Sequence, residues 1–306
     1  MQKILVIGSS NIDLVITSTS LPKPGETVIG DTFLKNPGGK GANQAVAVRR
    51  LGGHVSFITK VGNDVFGKEL TALYKKEGID CRGVLTDSSS RTGVALINVD
   101  RNGENFITIY QGANKQLLID DIINLSSLID ESDIILMQLE IPMDTVNYII
   151  DHAFEKGKKI ILNPAPAHPF TDEALSKLFA ITPNKTETEQ LTGIGIQDER
   201  SVLEAASILI KKGVKNVIIT LGSQGAYYVN EKEHFLIPAP HVKAVDSTAA
   251  GDTFCGAIAA ELSRGHEWDE ALQFATAASA ICVTRMGAQL SIPTEHEVRN
   301  FIKNNQ

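Results

Sequence analysis

Lys3-Ile4-Leu5-Val6-Ile7-Gly8 is a short apolar run with no polar face, closed by glycine. Such a run predicts a strand buried on both sides, as in a parallel sheet covered by helices. Similar runs occupy residues 55–61, 133–139, 159–163 and 216–221. Between and after them, apolar residues recur at helical spacing over 41–51, 64–77, 144–157, 198–212, 250–264, 268–284 and 294–303. Strand–helix alternation predicts an α/β fold with a mostly parallel central sheet and helices on both faces. Three basic clusters mark helix ends: Lys75-Lys76-Glu77-Gly78, Lys156-Gly157-Lys158-Lys159 and Lys211-Lys212-Gly213-Val214-Lys215. Cations there complement the helix dipole, and glycine supplies a left-handed cap.

Two regions depart from this alternation. Residues 12–18 and 26–34 flank the turn Pro22-Lys23-Pro24-Gly25, and residues 92–99 and 104–110 flank Arg101-Asn102-Gly103. Both read as β-hairpins. They predict a small lid of four antiparallel strands, inserted from about 12–35 and 92–111 into one catalytic domain spanning 1–306. A lid beside an α/β body implies a cleft from which water is excluded.

Composition narrows the function. The chain has 306 residues, 42% of them hydrophobic and 21% charged, and a net charge of −7. A chain of this size supports a sizeable core without covalent staples. The acidic balance argues against nucleic acid as partner, because phosphate binding needs clustered cations. Cys81, Cys255 and Cys282 form no CxxC pair, which excludes a disulfide framework and suits a reducing cytoplasm. No apolar stretch reaches membrane length, and residues 3–8 are too short for a signal peptide. Lys40 is followed by Gly41, so no Walker A loop forms; the first strand is followed by one glycine only, so no dinucleotide fingerprint forms. HExxH and GxSxG are absent too.

Five motifs remain. Asn36-Pro37-Gly38-Gly39-Lys40-Gly41-Ala42-Asn43-Gln44 opens a helix with glycines that admit a ligand to the backbone. Asn43 offers donors and an acceptor suited to a vicinal diol. Asn11 and Asp13 lie just past the carboxyl end of the first strand, where parallel sheets bind ligands. Asp246-Ser247-Thr248-Ala249-Ala250-Gly251-Asp252 leads small residues into a helix whose first amides could form an anion hole. Asn184 and Glu187 could order waters on Mg²⁺, or could simply form a capping box. Thr220-Leu221-Gly222-Ser223-Gln224-Gly225 reads equally as a nucleotide-contacting loop or a hairpin turn.

In this order the motifs resemble the ribokinase-like (PfkB) carbohydrate kinase family, over essentially the whole chain. The specific segments are Gly38 through Ala45 and Asp246 through Phe254. Pro24-Gly25-Glu26-Thr27, Met137-Gln138-Leu139-Glu140, Asn163-Pro164-Ala165-Pro166-Ala167 and Thr284 through Gln289 are similar to its ribose-phosphorylating branch. The resemblance implies ATP-dependent phosphorylation of the D-ribose 5-hydroxyl. It implies Asp252 as catalytic base and Ala249, Ala250, Gly251 and Asp252 as the anion hole. Asn11, Asp13, Gly39, Lys40, Gly41, Asn43 and Glu140 would line the sugar pocket. Asn184 and residues Thr220, Leu221, Gly222, Ser223, Gln224 and Gly225 would contact ATP together with Gly251 and Thr276, with Glu187 assisting Mg²⁺. Thr276 stands where the family often has a larger polar residue near adenine. The resemblance further implies activation by K⁺ at Asp246, Thr248, Cys282, Arg285, Gly287 and Ser291, most of them through carbonyl oxygens.

Two competing readings are a kinase for another uncharged sugar or a nucleoside, and a sugar-binding sensor without catalysis. The acidic and neutral set Asn11, Asp13 and Glu140 favours an uncharged sugar. An intact Asp252 segment argues against the sensor. A homodimer through the lid is expected.

Overall fold

In a computed structural model, which describes residues 1–305, the strands in chain order are β1 (Lys3–Ile7), β2 (Asn11–Ser18), β3 (Gly30–Gly38), β4 (His54–Gly62), β5 (Val84–Asp87), β6 (Gly93–Asp100), β7 (Asn105–Tyr110), β8 (Ile134–Met137), β9 (Lys159–Leu162), β10 (Ala180–Ile181), β11 (Val217–Thr220), β12 (Ala226–Val229) and β13 (His234–Ile237). The helices are α1 (Lys40–Arg50), α2 (Val65–Glu77), α3 (Ile119–Asn124), α4 (Ser126–Asp130), α5 (Met143–Glu155), α6 (Asp172–Ser176), α7 (Lys185–Thr192), α8 (Glu199–Lys211), α9 (Ala250–Ser263), α10 (Trp268–Cys282), α11 (Ala288–Ser291) and α12 (Glu295–Asn304).

Nine strands form the main sheet in the order β13-β12-β11-β10-β9-β8-β1-β4-β5, parallel except for the pairings of β12 with its two neighbours. Each apolar run serves two cores. Ile4, Val6, Ile134 and Leu136 face the layer that contains α1, α9 and α10. Leu5, Ile7, Ile135 and Met137 face the layer that contains α5 and α8. Two-sided burial is why these strands read as unbroken apolar segments. The expected helix ends hold as well: Gly78, Gly157 and Gly213 all have positive φ.

From β1 the chain fills the sheet outward through β4 and β5, then returns to β8 on the opposite side of β1. The β1–β8 junction is therefore the topological switch point, and its carboxyl end is where such a sheet leaves an open crevice.

The second sheet has the order β3-β2-β6-β7. The hairpin pairs are antiparallel, but the central β2–β6 pair is parallel, which corrects the expectation of four antiparallel strands. The two hairpins leave the body after β1 and after β5 and enter the lid side by side in the same direction. The second lid strand also starts at Gly30 rather than at residue 26 and runs on to Gly38.

Candidate functional site

The residues following β1 and β8 converge where the sheet opens. Asn11, Asp13 and Glu140 line a cavity of about 400 Å³ with Gly39, Lys40, Asn43 and Asp252. Ala95, Ile97, Ile107 and Ile109 of the second sheet roof it. Gly39 has φ +87°, and a Cβ there would stand 2.8 Å from the Asn11 amide nitrogen. Only glycine lets the start of α1 approach the start of β2 this closely.

Charge is concentrated in this cavity. Glu140 Oε2 accepts from the Ser9 hydroxyl at 2.5 Å and from the Lys40 backbone amide at 3.0 Å. The Asp13 carboxylate accepts no hydrogen bond from the described residues. Burial, reinforced by the neighbouring Glu140 and Asp252, pushes its carboxyl up to about 7, against the pull of Lys40. Burial disfavours the Lys40 ammonium, but Asp252, Glu140 and Glu187 outweigh it and hold the group above its ordinary value. The pocket thus presents free carboxylate oxygens and one cation already surrounded by acids, a surface suited to neutral polyols rather than anions.

Asp252 sits in the first turn of α9 and is nearly buried. Its Oδ2 accepts from Asn43 Nδ2 at 2.9 Å and its Oδ1 from Gln44 Nε2 at 3.0 Å. Gly256 makes this approach possible: a Cβ there would stand 2.5 Å from the Ala47 Cβ. The chain reaches α9 through Ala249, whose φ of 61° makes it the one left-handed residue other than glycine among the described residues. The Ala250 amide is taken by the Ser247 carbonyl at 3.2 Å. The Gly251 and Asp252 amides find no protein acceptor, so they are the donors presented to the cleft.

A second cavity, of about 720 Å³, adjoins the first. Asn184, Thr220, Ser247, Ala250 and Gly251 line both. Val242, Ala244, Phe254 and Val283 give it an apolar part. Thr276 lines it, but spends its hydroxyl on the Leu272 and Gln273 carbonyls of its own helix. Asn184 and Glu187 form the capping box, each side chain accepting from the other's backbone amide at 2.8 Å. Both also line the first cavity, so capping and cleft readings hold together. Burial raises the Glu187 carboxyl, against the Asn184 amide and Lys40.

Residues 220–225 form the turn between β11 and β12 and also line the second cavity, with one exception. Gln224 is not among the lining residues; it accepts from Nζ of Lys185, which does line that cavity, at 2.8 Å. Gly41 is not among the residues lining the first cavity; its backbone packs against Gly8 and Ser9.

Behind the α9 entry loop, Asp246 accepts from the Thr248 amide and hydroxyl and from the Gly287 amide. Burial opposes ionisation there, but these bonds hold the carboxyl below its ordinary value. Cys282 Sγ contacts the Ser291 hydroxyl at 3.0 Å and the Thr248 carbonyl at 3.7 Å. The Arg285 guanidinium turns away to Glu297, so only its backbone borders this region.

Sequence reasoning missed Gln138 and Asn163 as buried partners of this centre, the lid side chains over the cavity, and the 239–244 wall of the second cavity. A signal existed for the first two: each is a polar residue placed directly after an apolar stretch, Ile134–Met137 and Ile160–Leu162.

The description of pfkB family carbohydrate kinases matches residues 1–295. A ribokinase of Haemophilus influenzae is 44% identical over 304 residues, covering 99% of both chains. The crystal structure of ribokinase from Thermotoga maritima superposes with a TM-score of 0.91 at 42% identity, covering 99% of this chain and 100% of that one. A structure of Arabidopsis thaliana ribokinase complexed with ribose and ATP superposes with a TM-score of 0.91 at 32% identity, covering 99% of each.

Proposed function

Since the chain belongs to the pfkB family of carbohydrate kinases, we propose that it transfers the γ-phosphoryl group of ATP to the 5-hydroxyl of D-ribose, giving D-ribose 5-phosphate and ADP. One observation carries the reading: an acid-lined polyol cavity and a partly apolar cavity meet at the free amides of α9. The whole chain, residues 1–306, acts as one catalytic unit with its lid.

In this reading Asp13, Asn43 and Glu140 hold ribose hydroxyls, and the lid residues Ile97 and Ile107 cover the ring. ATP extends from the wall formed by Val242, Ala244 and Val283 toward the first turn of α9. Asp252 orients the 5-hydroxyl and accepts its proton as the new O–P bond forms and the bond to the β-phosphate oxygen breaks. A carboxylate is too weak a base to remove an alcohol proton beforehand, which suits a loose phosphoryl transition state. The amides of Gly251 and Asp252 take up the charge spreading onto the phosphoryl oxygens.

Glu187 and Asn184 would hold Mg²⁺ through waters, and the ion would neutralise phosphate charge. The set Asp246, Thr248, Cys282, Arg285, Gly287 and Ser291 fits K⁺: the one carboxylate stays ionised and the other donors are carbonyls and a hydroxyl. The ion would brace the loop that carries the anion hole. Replacing K⁺ with tetramethylammonium, or making Asp246→Ala, is expected to lower kcat by about tenfold or more, as for a weakened oxyanion site. Equal kcat with either cation would remove K⁺ from the account. The lid exposes Ile16, Phe33, Leu96 and Phe106 on one face and Ile107 and Ile109 on the other. Apolar exposure on that scale favours a homodimer through the lid, to be checked by sedimentation. The absence of a membrane-length helix among the described residues and the free cysteines support a cytoplasmic enzyme.

Asp13 sets a pH signature. With its carboxyl near 7 in the free enzyme, protonation removes a hydroxyl acceptor as the pH falls. The KM for ribose is expected to be flat above pH 8 and to rise about tenfold by pH 6, as a single titration dictates. Asp13→Asn abolishes that slope.

The function is tested by coupled ADP release with ATP, Mg²⁺ and a panel of D-ribose, 2-deoxyribose, fructose and adenosine. The highest kcat/KM is expected for D-ribose. A preference for adenosine, or no sugar-dependent ADP release, overturns the assignment.

A further inference from the structure

Asp252 is tied to the protein interior by a chain of side-chain amides. Gln44, fully buried on α1, donates from Nε2 to Asp252 Oδ1 at 3.0 Å and to Asn163 Oδ1 at 3.2 Å. Its Oε1 accepts from Gln138 Nε2 at 2.5 Å. Asn163 donates from Nδ2 to the Thr182 carbonyl at 3.1 Å. A carbonyl can only accept, so it fixes which way the Asn163 amide faces. That places the Asn163 oxygen toward Gln44, and with the Gln138 donor it leaves Gln44 one orientation, its NH₂ toward Asp252. A reversed Gln44 would set its oxygen against both the carboxylate and the Asn163 oxygen.

Asn43 and Gln44, adjacent on α1, grip the two oxygens of one carboxylate from different sides. Asn43 borders the cavity, whereas Gln44 does not. We infer that Gln44 is a positioning residue for phosphoryl transfer. With Gln138 and Asn163 behind it, it fixes the plane of the Asp252 carboxylate so that one lone pair faces the attacking hydroxyl. The inference rests on the reading of Asp252 as proton acceptor. A carboxylate held by Asn43 alone is free to swing about its last torsion, and small misplacements of a reacting group cost large factors in rate.

The test is a double-mutant cycle on the full-length enzyme. Gln44→Met keeps the volume and removes the donor. It is expected to lower kcat about 10- to 100-fold with the KM for ribose and for ATP within about threefold. Gln138→Met leaves Gln44 facing Asp252 but removes the donor that anchors its oxygen, and should lower kcat about 3- to 10-fold, again without moving KM. In an Asp252→Ala background, Gln44→Met should change the residual rate less than about twofold, because a group acting through Asp252 has nothing left to position. A structural role predicts the same loss in both backgrounds and overturns the inference. So does a Gln44→Met enzyme with kcat within about twofold of wild type. If Gln44→Met does not fold, as judged by its thermal melt, Gln138→Met decides alone, and an unchanged kcat overturns the inference. Wild type and Asp252→Ala are assayed first. If wild type shows no ribose-dependent ADP release, or Asp252→Ala matches it, the function or the base assignment fails, and the inference fails with it.

Discussion

Asp252→Asn lowers kcat for ribose about 100-fold or more while the KM for ribose stays within about threefold, the pattern of an interaction made mainly in the transition state. The amide can still order the hydroxyl but cannot take its proton. The substitution also places an NH₂ group among the Asn43 and Gln44 amides, which donate to both oxygens of the native carboxylate. Two donors then face each other in a buried site, so some loss of stability is expected. Asp252→Ala, which avoids that clash of donors, controls for it and should show a kcat deficit at least as large, because it also loses the group that orders the hydroxyl. Steady-state rates for both variants, read beside thermal melts, separate chemistry from folding. A kcat within about threefold of wild type in both variants would remove Asp252 from the chemistry.

Asp13→Ala has its largest effect on binding. The KM for ribose is expected to rise about 10- to 100-fold, since hydroxyls buried under the lid lose a charged acceptor. Burial and the nearby Glu140 and Asp252 carry a linked consequence for stability. The folded-state carboxyl lies near 7, above the 3.8 of an unperturbed aspartate. The folded chain therefore binds this proton more tightly than the unfolded one. Its stability is least affected below the unfolded value and falls as the pH rises through about 7. Asp13→Asn should accordingly melt higher than wild type at pH 8, by about 2–4 °C for each kcal/mol relieved, and the two should converge near pH 4. Equal melting at pH 8 together with an unchanged KM would take Asp13 out of the pocket. Higher melting with weaker binding is the expected trade between function and stability.

Much of this fold was legible in local pattern. Ile4–Ile7 and Ile134–Met137 are apolar throughout because both sheet faces are covered, and that property survives in sequence. The start of α9 was legible because small residues followed by Asp252 exceed what capping requires. Other features depend on distant pairings. The parallel contact between β2 and β6 joins two hairpins separated by most of the first α/β units, and no turn signal encodes it. Gln224 sits in a loop that lines the second cavity, and only the folded chain shows its side chain meeting Lys185, which is distant in sequence. Gln44 was visible beside Asn43, but adjacent positions on a helix point in different directions. Only the packing of α1 on α9 shows that Gln44 meets the same carboxylate.

The central claim is that Asp252 faces the primary hydroxyl of ribose next to the Gly251 and Asp252 amides. A crystal structure of the wild-type enzyme with D-ribose and a β,γ-methylene analogue of ATP tests it. The account predicts the ribose 5-oxygen about 3 Å from an Asp252 carboxylate oxygen, in line with the γ-phosphorus, and γ-phosphoryl oxygens against those amides. A pentose whose exocyclic carbon points away from Asp252, or a γ-phosphate that does not reach α9, would contradict it.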